Sequence, residues 1–99
     1  MSRIRFHDAA DLEGEEAIVW YEQQEPGLGI RFRTAVETVV DRIQQNPNAY
    51  PIVFGSSIRQ ALVHEFPFVV IYTIAADHVI ILAIFHTSRN PIIWQGRTD

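Results

Sequence analysis

The sequence predicts an α+β domain: a short N-terminal strand, an antiparallel helical hairpin packed on an antiparallel sheet, and a short C-terminal helix. The sheet is built from three C-terminal strands plus the first strand. Three observations predict this. Apolar residues recur at helical spacing in the first half, strand-type runs with very short links fill the second half, and 99 residues with 47% hydrophobic content suit one modest core.

Ile4 and Phe6 suit a short strand. Asp8 is placed to N-cap a helix starting at Ala9, with Asp11 in the first turn favoured by the helix dipole. Ala10, Gly14, Ala17, Ile18 and Tyr21 then form a narrow stripe of small residues along one helix face. The chain breaks at Pro26-Gly27-Leu28-Gly29. Phe32, Ala35, Val36, Val39, Val40 and Ile43 follow at steps of 3, 1, 3, 1 and 3, which predicts a second helix from Gly29 to Gln45. Asn46-Pro47 ends it, because the residue before proline is pushed out of the helical region. Two helices joined by so short a break fold back as a hairpin.

Ile58–His64, Phe68–Ala75 and Val79–Phe85 are rich in β-branched and aromatic residues; Phe66-Pro67 separates the first two and Ala76-Asp77 is a tight connection between the last two. Links that short force antiparallel pairing, since a parallel pair needs a crossover of about a dozen residues. Phe68–Ile74 is apolar at nearly every position, so that strand is expected to be central and covered on both faces. Residues 86–91 read as a loop, with Pro91 opening a short helix from Ile92 to Arg97.

Composition excludes several function classes. With no cysteine there is no disulfide scaffold, thiol catalysis or Cys-based zinc site. No signal peptide is visible behind the two early arginines, and the longest apolar run is too short for a membrane span of about 20 residues, so a cytoplasmic protein is expected. The chain carries a net charge of −4 from eight arginines, no lysine and twelve acids, which argues against broad nucleic-acid binding. Seven acids and no base lie between Asp8 and Glu25, while residues 50–99 are neutral and hold three of the four histidines.

The order of elements and several motifs together resemble the RelE/ParE superfamily of toxins from type II toxin–antitoxin modules, which includes plasmid-stabilisation proteins. The motifs are Ala17-Ile18-Val19-Trp20-Tyr21-Glu22 with Pro26-Gly27-Leu28-Gly29 and Phe32; Asn46-Pro47 and Tyr50-Pro51; Arg59; Phe66-Pro67-Phe68 with Tyr72; and Ile81-Leu82-Ala83-Ile84 with His86, Arg89, Pro91, Trp94 and Arg97. The resemblance implies a bacterial toxin held inactive by a cognate antitoxin, with which it forms a hetero-oligomer, and no cofactor. RelE-like members cleave mRNA on the ribosome with basic and acid/base side chains on the concave sheet face, whereas ParE-like members poison DNA gyrase. The chain departs from the RelE-like pattern: Phe68-Val69 stands where that group has a catalytic arginine, and Trp94 is the aromatic nearest its functional tyrosine. These departures, the missing lysines and the negative charge favour the ParE-like reading over a ribosome-dependent nuclease; a degenerate toxin that retains only antitoxin binding is the third alternative.

Metal-free RNA cleavage needs a base, a cation for the charged phosphorane and an acid. His86 and Arg89, three residues apart past a strand end, are the candidates for those roles; the alternative is a strand-end histidine and a structural arginine. Arg59 either contacts a phosphate or acidic partner or pairs with Glu65 or a helix carboxylate. Trp94 and Arg97 are candidates for target or antitoxin contact, with burial of the indole against the sheet as the alternative for Trp94. His64 and His78 lack metal-ligand spacing, so no metal site is expected. Trp20 and Tyr21 are adjacent on a helix, so one of them is expected to face out.

Overall fold

The computed structural model describes residues 3–97; Met1 and Ser2, part of the N-terminal segment read for a signal, lie outside them. The elements are β1 (Arg3–Phe6), α1 (Asp8–Gln24), α2 (Leu28–Gln45), β2 (Ile52–Phe54), β3 (Ile58–Leu62), β4 (Phe68–Ala75), β5 (His78–His86) and α3 (Ile92–Gln95). One five-stranded sheet runs in the order β1-β5-β4-β3-β2. The helical hairpin, the central position of β4 and the antiparallel β3-β4-β5 meander follow the sequence expectation. The sheet is mixed, however: β1 pairs with β5 in parallel, the hairpin serving as the crossover between them. It also gains β2, a three-residue edge strand whose side chains are all exposed.

Helix starts differ from expectation by one residue. His7, not Asp8, caps α1: its Nδ1 accepts the Ala9 N–H at 3.0 Å, and Asp8 becomes a first-turn acid. The hairpin turn is held by Glu22, whose carboxylate accepts the N–H groups of Gly27 (3.0 and 3.1 Å) and Gly29 (3.0 Å). Gly27 sits at φ 91°, a left-handed conformation that side chains resist, and has no side chain of its own with which to cap α2. Glu22 therefore supplies from α1 the anionic partner that the first turn of α2 needs.

β5 is buried along its whole centre, so the sheet has a core on each face. On the helix side, Ala10 and Ala17 of α1 and Phe32, Val36, Val39 and Ile43 of α2 meet Val70, Tyr72, Val79, Ile81 and Ile84. On the other side, Val69, Ile71, Ile80, Leu82, Ala83 and Phe85 are closed by Trp94. Between β4 and β5 the register slips: Ile71 faces Ala83 but Tyr72 faces Ile81, leaving Leu82 as an extra residue. This bulge turns Leu82 and Ala83 toward the same face, which strict alternation would not allow. Tyr72 is fully buried, and its hydroxyl donates to the Pro47 carbonyl at 2.6 Å, tying the loop after α2 to the sheet.

Two outcomes test this packing. A Cβ at position 29 would lie 2.6 Å from the Ile18 carbonyl oxygen. Gly29→Ala is therefore expected to lower stability by about 1–3 kcal/mol in urea denaturation, through separation of the helices. Burial pushes the Tyr72 hydroxyl up to about 12, with Arg59 opposing the shift. Because the folded state binds this proton more tightly than the unfolded chain, stability is retained below pH 10 and falls as pH rises toward 12. Tyr72→Phe is expected to flatten that decline, while losing about 1 kcal/mol near neutral pH with its hydrogen bond; urea midpoints at pH 8 and 10.5 check both effects.

Candidate functional site

A groove of about 580 Å³ opens between α1 and the ends of β4 and β5. Its apolar wall is Ala17, Tyr21, Phe68 and Ile84, and its polar rim is Glu13, Glu16, His86 and Arg89. Trp20 stands at its lip with 56% of its surface exposed, while Tyr21 turns inward against Phe32, Phe66 and Phe68. Of the two adjacent aromatics, Trp20 is thus the one that faces out. Burial raises the Tyr21 hydroxyl above its ordinary value.

His86 and Arg89 are brought to this one groove. The His86 ring stands edge-on to Phe68, with centroids 5.2 Å apart. Its Nδ1 receives the Ser88 N–H at 3.0 Å and lies 2.8 Å from the Ser88 hydroxyl. An Nδ1 that accepts an amide leaves the proton of the neutral ring on Nε2, an assignment inferred from these partners. Arg89 lays its guanidinium 4.9 Å from the centre of the Phe85 ring and 3.9 Å from Glu13 Oε2.

Glu13 is the best-connected polar group near the groove. Its Oε1 accepts the Ile84 N–H at 3.1 Å. Arg97 grips both carboxylate oxygens, at 3.0 and 2.8 Å, and also donates to the Leu82 carbonyl at 2.9 Å. Both side chains of this pair are largely buried. Arg97 is therefore engaged inside the fold, at the edge of β5, and does not stand out toward a partner.

The remaining residues singled out from sequence lie elsewhere. Arg59 donates to the carbonyls of Asn48 (3.3 Å) and Tyr50, gathering the loop before β2; the side chain that approaches Glu65 is Arg31, at 3.8 Å. Trp94 is 5% exposed and packs edge-on against Phe54 under the second sheet face. His64 follows β3 and His78 starts β5, where it lies 3.4 Å from the Asp77 carboxylate.

Glu13 and Glu16 have no individual role in the sequence reading, and Glu22 enters it only within the helix motif. Glu13 carried a usable signal: it lies on the same face as Ala10 and Ala17, and an acid on a stripe that packs inward requires a cation. Chemically the groove combines an imidazole, an arginine and two carboxylates around an apolar floor. Glu16 adds a negative charge that opposes a phosphate backbone, so the balance suits protein side chains better than RNA.

Residues 4–91 match the family described as "ParE toxin of type II toxin-antitoxin system, parDE". A solved chain from the chromosomal ParDE TA system of P. aeruginosa superposes with a TM-score of 0.78 at 15% identity, covering 89% of this chain and 98% of that one. No curated protein sequence matches. Among the described residues, no helix is long and apolar enough to cross a membrane.

Glu13 gives the site a direct stability test. Glu13→Ala strands the Arg97 guanidinium and the Ile84 amide together, so a loss of about 3–5 kcal/mol is expected. Arg97→Met, which keeps the apolar stem and removes the charge, still leaves Glu13 without its main cation. Equal melting temperatures for the wild type and both variants would show that the pair carries no structural weight.

Proposed function

The chain belongs to the ParE toxin family of type II toxin–antitoxin systems, and from that premise we propose that it acts by binding a protein target, DNA gyrase, and is held inactive by a cognate antitoxin. The observation that carries the proposal is the state of the second sheet face. A RelE-like nuclease would hold RNA there against basic side chains. Here the face presents Val69, Ile71, Ile80, Leu82, Ala83 and Phe85, already closed by Trp94. Arg89 lies at its margin, laid on the Phe85 ring. A phosphate placed over these apolar side chains would lose water without a compensating hydrogen bond.

A toxin of this construction works through surfaces. The α1 groove offers an apolar floor, a protruding indole and paired acid and base at its rim, the combination found where protein side chains anchor. One observation supports a second reading, ribosome-dependent mRNA cleavage: His86 and Arg89 share that groove and supply an acid–base group and a cation.

The two readings separate when the chain is expressed without its antitoxin and supercoiling, DNA integrity and mRNA integrity are followed together. Lost supercoiling with DNA breaks and intact mRNA is the expected outcome, with Trp20→Ala weakening it. Cut mRNA in a ribosome-dependent assay, abolished by His86→Ala and Arg89→Ala, would overturn it.

A further inference from the structure

Ten large apolar side chains stand exposed among the described residues, and five of them fall in two short segments. These are Ile52, Val53 and Phe54 of β2, and Ile92 and Ile93 of α3, all between 40% and 67% exposed. The other five are spread over α1, α2 and the end of β3. The two segments meet, because the Phe54 ring stands edge-on to the Trp94 indole with 5.9 Å between centroids. β2 and α3 therefore form one patch beside the second sheet face. Single exposed apolar residues are ordinary, whereas a contiguous group marks an interaction surface.

The patch is free of charge. No acidic or basic residue occurs from Ile43 to Ile58 or from Asn90 to Gly96. The three arginines that adjoin these segments are engaged elsewhere. Arg59 donates to the Asn48 and Tyr50 carbonyls, Arg89 lies on the Phe85 ring, and Arg97 grips Glu13. Nine of the twelve acids lie between Asp8 and Asp41, in the helical hairpin. That hairpin covers the opposite face of the sheet from Trp94.

Charge therefore decides what fits. A charged partner finds no counter-ion on this patch. Two copies of a chain of net charge −4 repel where their acids face each other, and they approach at least cost through a neutral surface far from those acids. An apolar patch without charge is also complementary to itself, as contact about a two-fold axis requires.

We propose that two copies of the chain associate here, the β2–α3 patch of one packing on the same patch of the other. Five side chains per copy make a small interface, so the dimer is reversible, with a dissociation constant on the order of 10 μM. The patch shares no residue with the groove beside α1, so the dimer presents that groove twice.

Sedimentation equilibrium of the purified full chain tests this. Between about 1 and 200 μM the mean mass is expected to rise from that of one copy toward that of two, and added salt is expected to leave the association unchanged or tighten it. Ile92→Glu is expected to weaken the dimer at least tenfold. Val19→Glu, the same change on a comparably exposed residue of α1, is expected to weaken it less than twofold. Both side chains are more than half exposed, so neither variant threatens folding. A chain that stays monomeric at the highest concentration, or a dimer that the two variants weaken equally, overturns the assignment. A monomeric chain whose complex with its antitoxin is weakened by Ile92→Glu also overturns it and gives the patch to that partner.

Discussion

β5 places the hardest demand on this fold, and the Glu13–Arg97 pair answers it. The strand has nine residues and is buried on both faces, yet its neighbour β1 has only four and stops alongside Ile81. Beyond that point the edge of β5 has amide and carbonyl groups turned away from β4, in a region too dry to leave them unpaired. Glu13 accepts the Ile84 N–H and Arg97 donates to the Leu82 carbonyl, the carbonyl of the bulge residue itself. Acid and base complete the edge of the strand, and each neutralises the other. Neither could do this alone, because a lone buried charge costs several kcal/mol.

The same pair governs the second face of the sheet. A chain of this length has one helical hairpin, and that hairpin covers one face. The other is covered by residues 87–97, which form a loop and a single helical turn. So short a segment holds no fold of its own. It is held by Trp94 seated among the β4 and β5 side chains and by Arg97 anchored to α1 through Glu13. That closure leaves the second face covered by an indole over apolar side chains, while the two larger grooves border the helices.

What was legible in the sequence follows from the range of the forces involved. The helices and the β3-β4-β5 meander rest on local periodicity and short links, and they stand where the residues place them. β2 was not legible, because Ile52–Phe54 is three residues long, wholly exposed and preceded by Pro51, with no alternation to read. The parallel β1–β5 pairing joins strands more than seventy residues apart, which no local pattern encodes. The helix cap passed from Asp8 to His7 because an imidazole nitrogen accepts an amide as a carboxylate does, a substitution that cap statistics underweight. Among the candidate residues, His86 and Arg89 were visible as a local pair, but the engagements of Arg59 and Arg97 were not. Arg97 meets an acid 84 positions away.

Net charge is informative only once it is distributed over the fold. The acids of α1 outnumber the arginines of α2, so a sum over the first half shows only the negative excess, yet the two sets lie on different helices and border different grooves. The α1 groove has carboxylates on its rim, whereas the outer flank of α2 carries Arg31 and Arg42. Between the two grooves runs the connection from β3 to β4: His64 and Glu65 border one, and Pro67 and Phe68 border the other. Phe66 lies between them in sequence and packs on both Tyr21 and Phe32. A partner that crosses this connection would meet both surfaces in a few residues, acidic where it lies on α2 and basic or apolar where it reaches α1. A partner confined to the α1 groove would leave the α2 flank open. Two grooves of different charge make-up thus lie on so small a chain, a difference that its formal charge of −4 conceals.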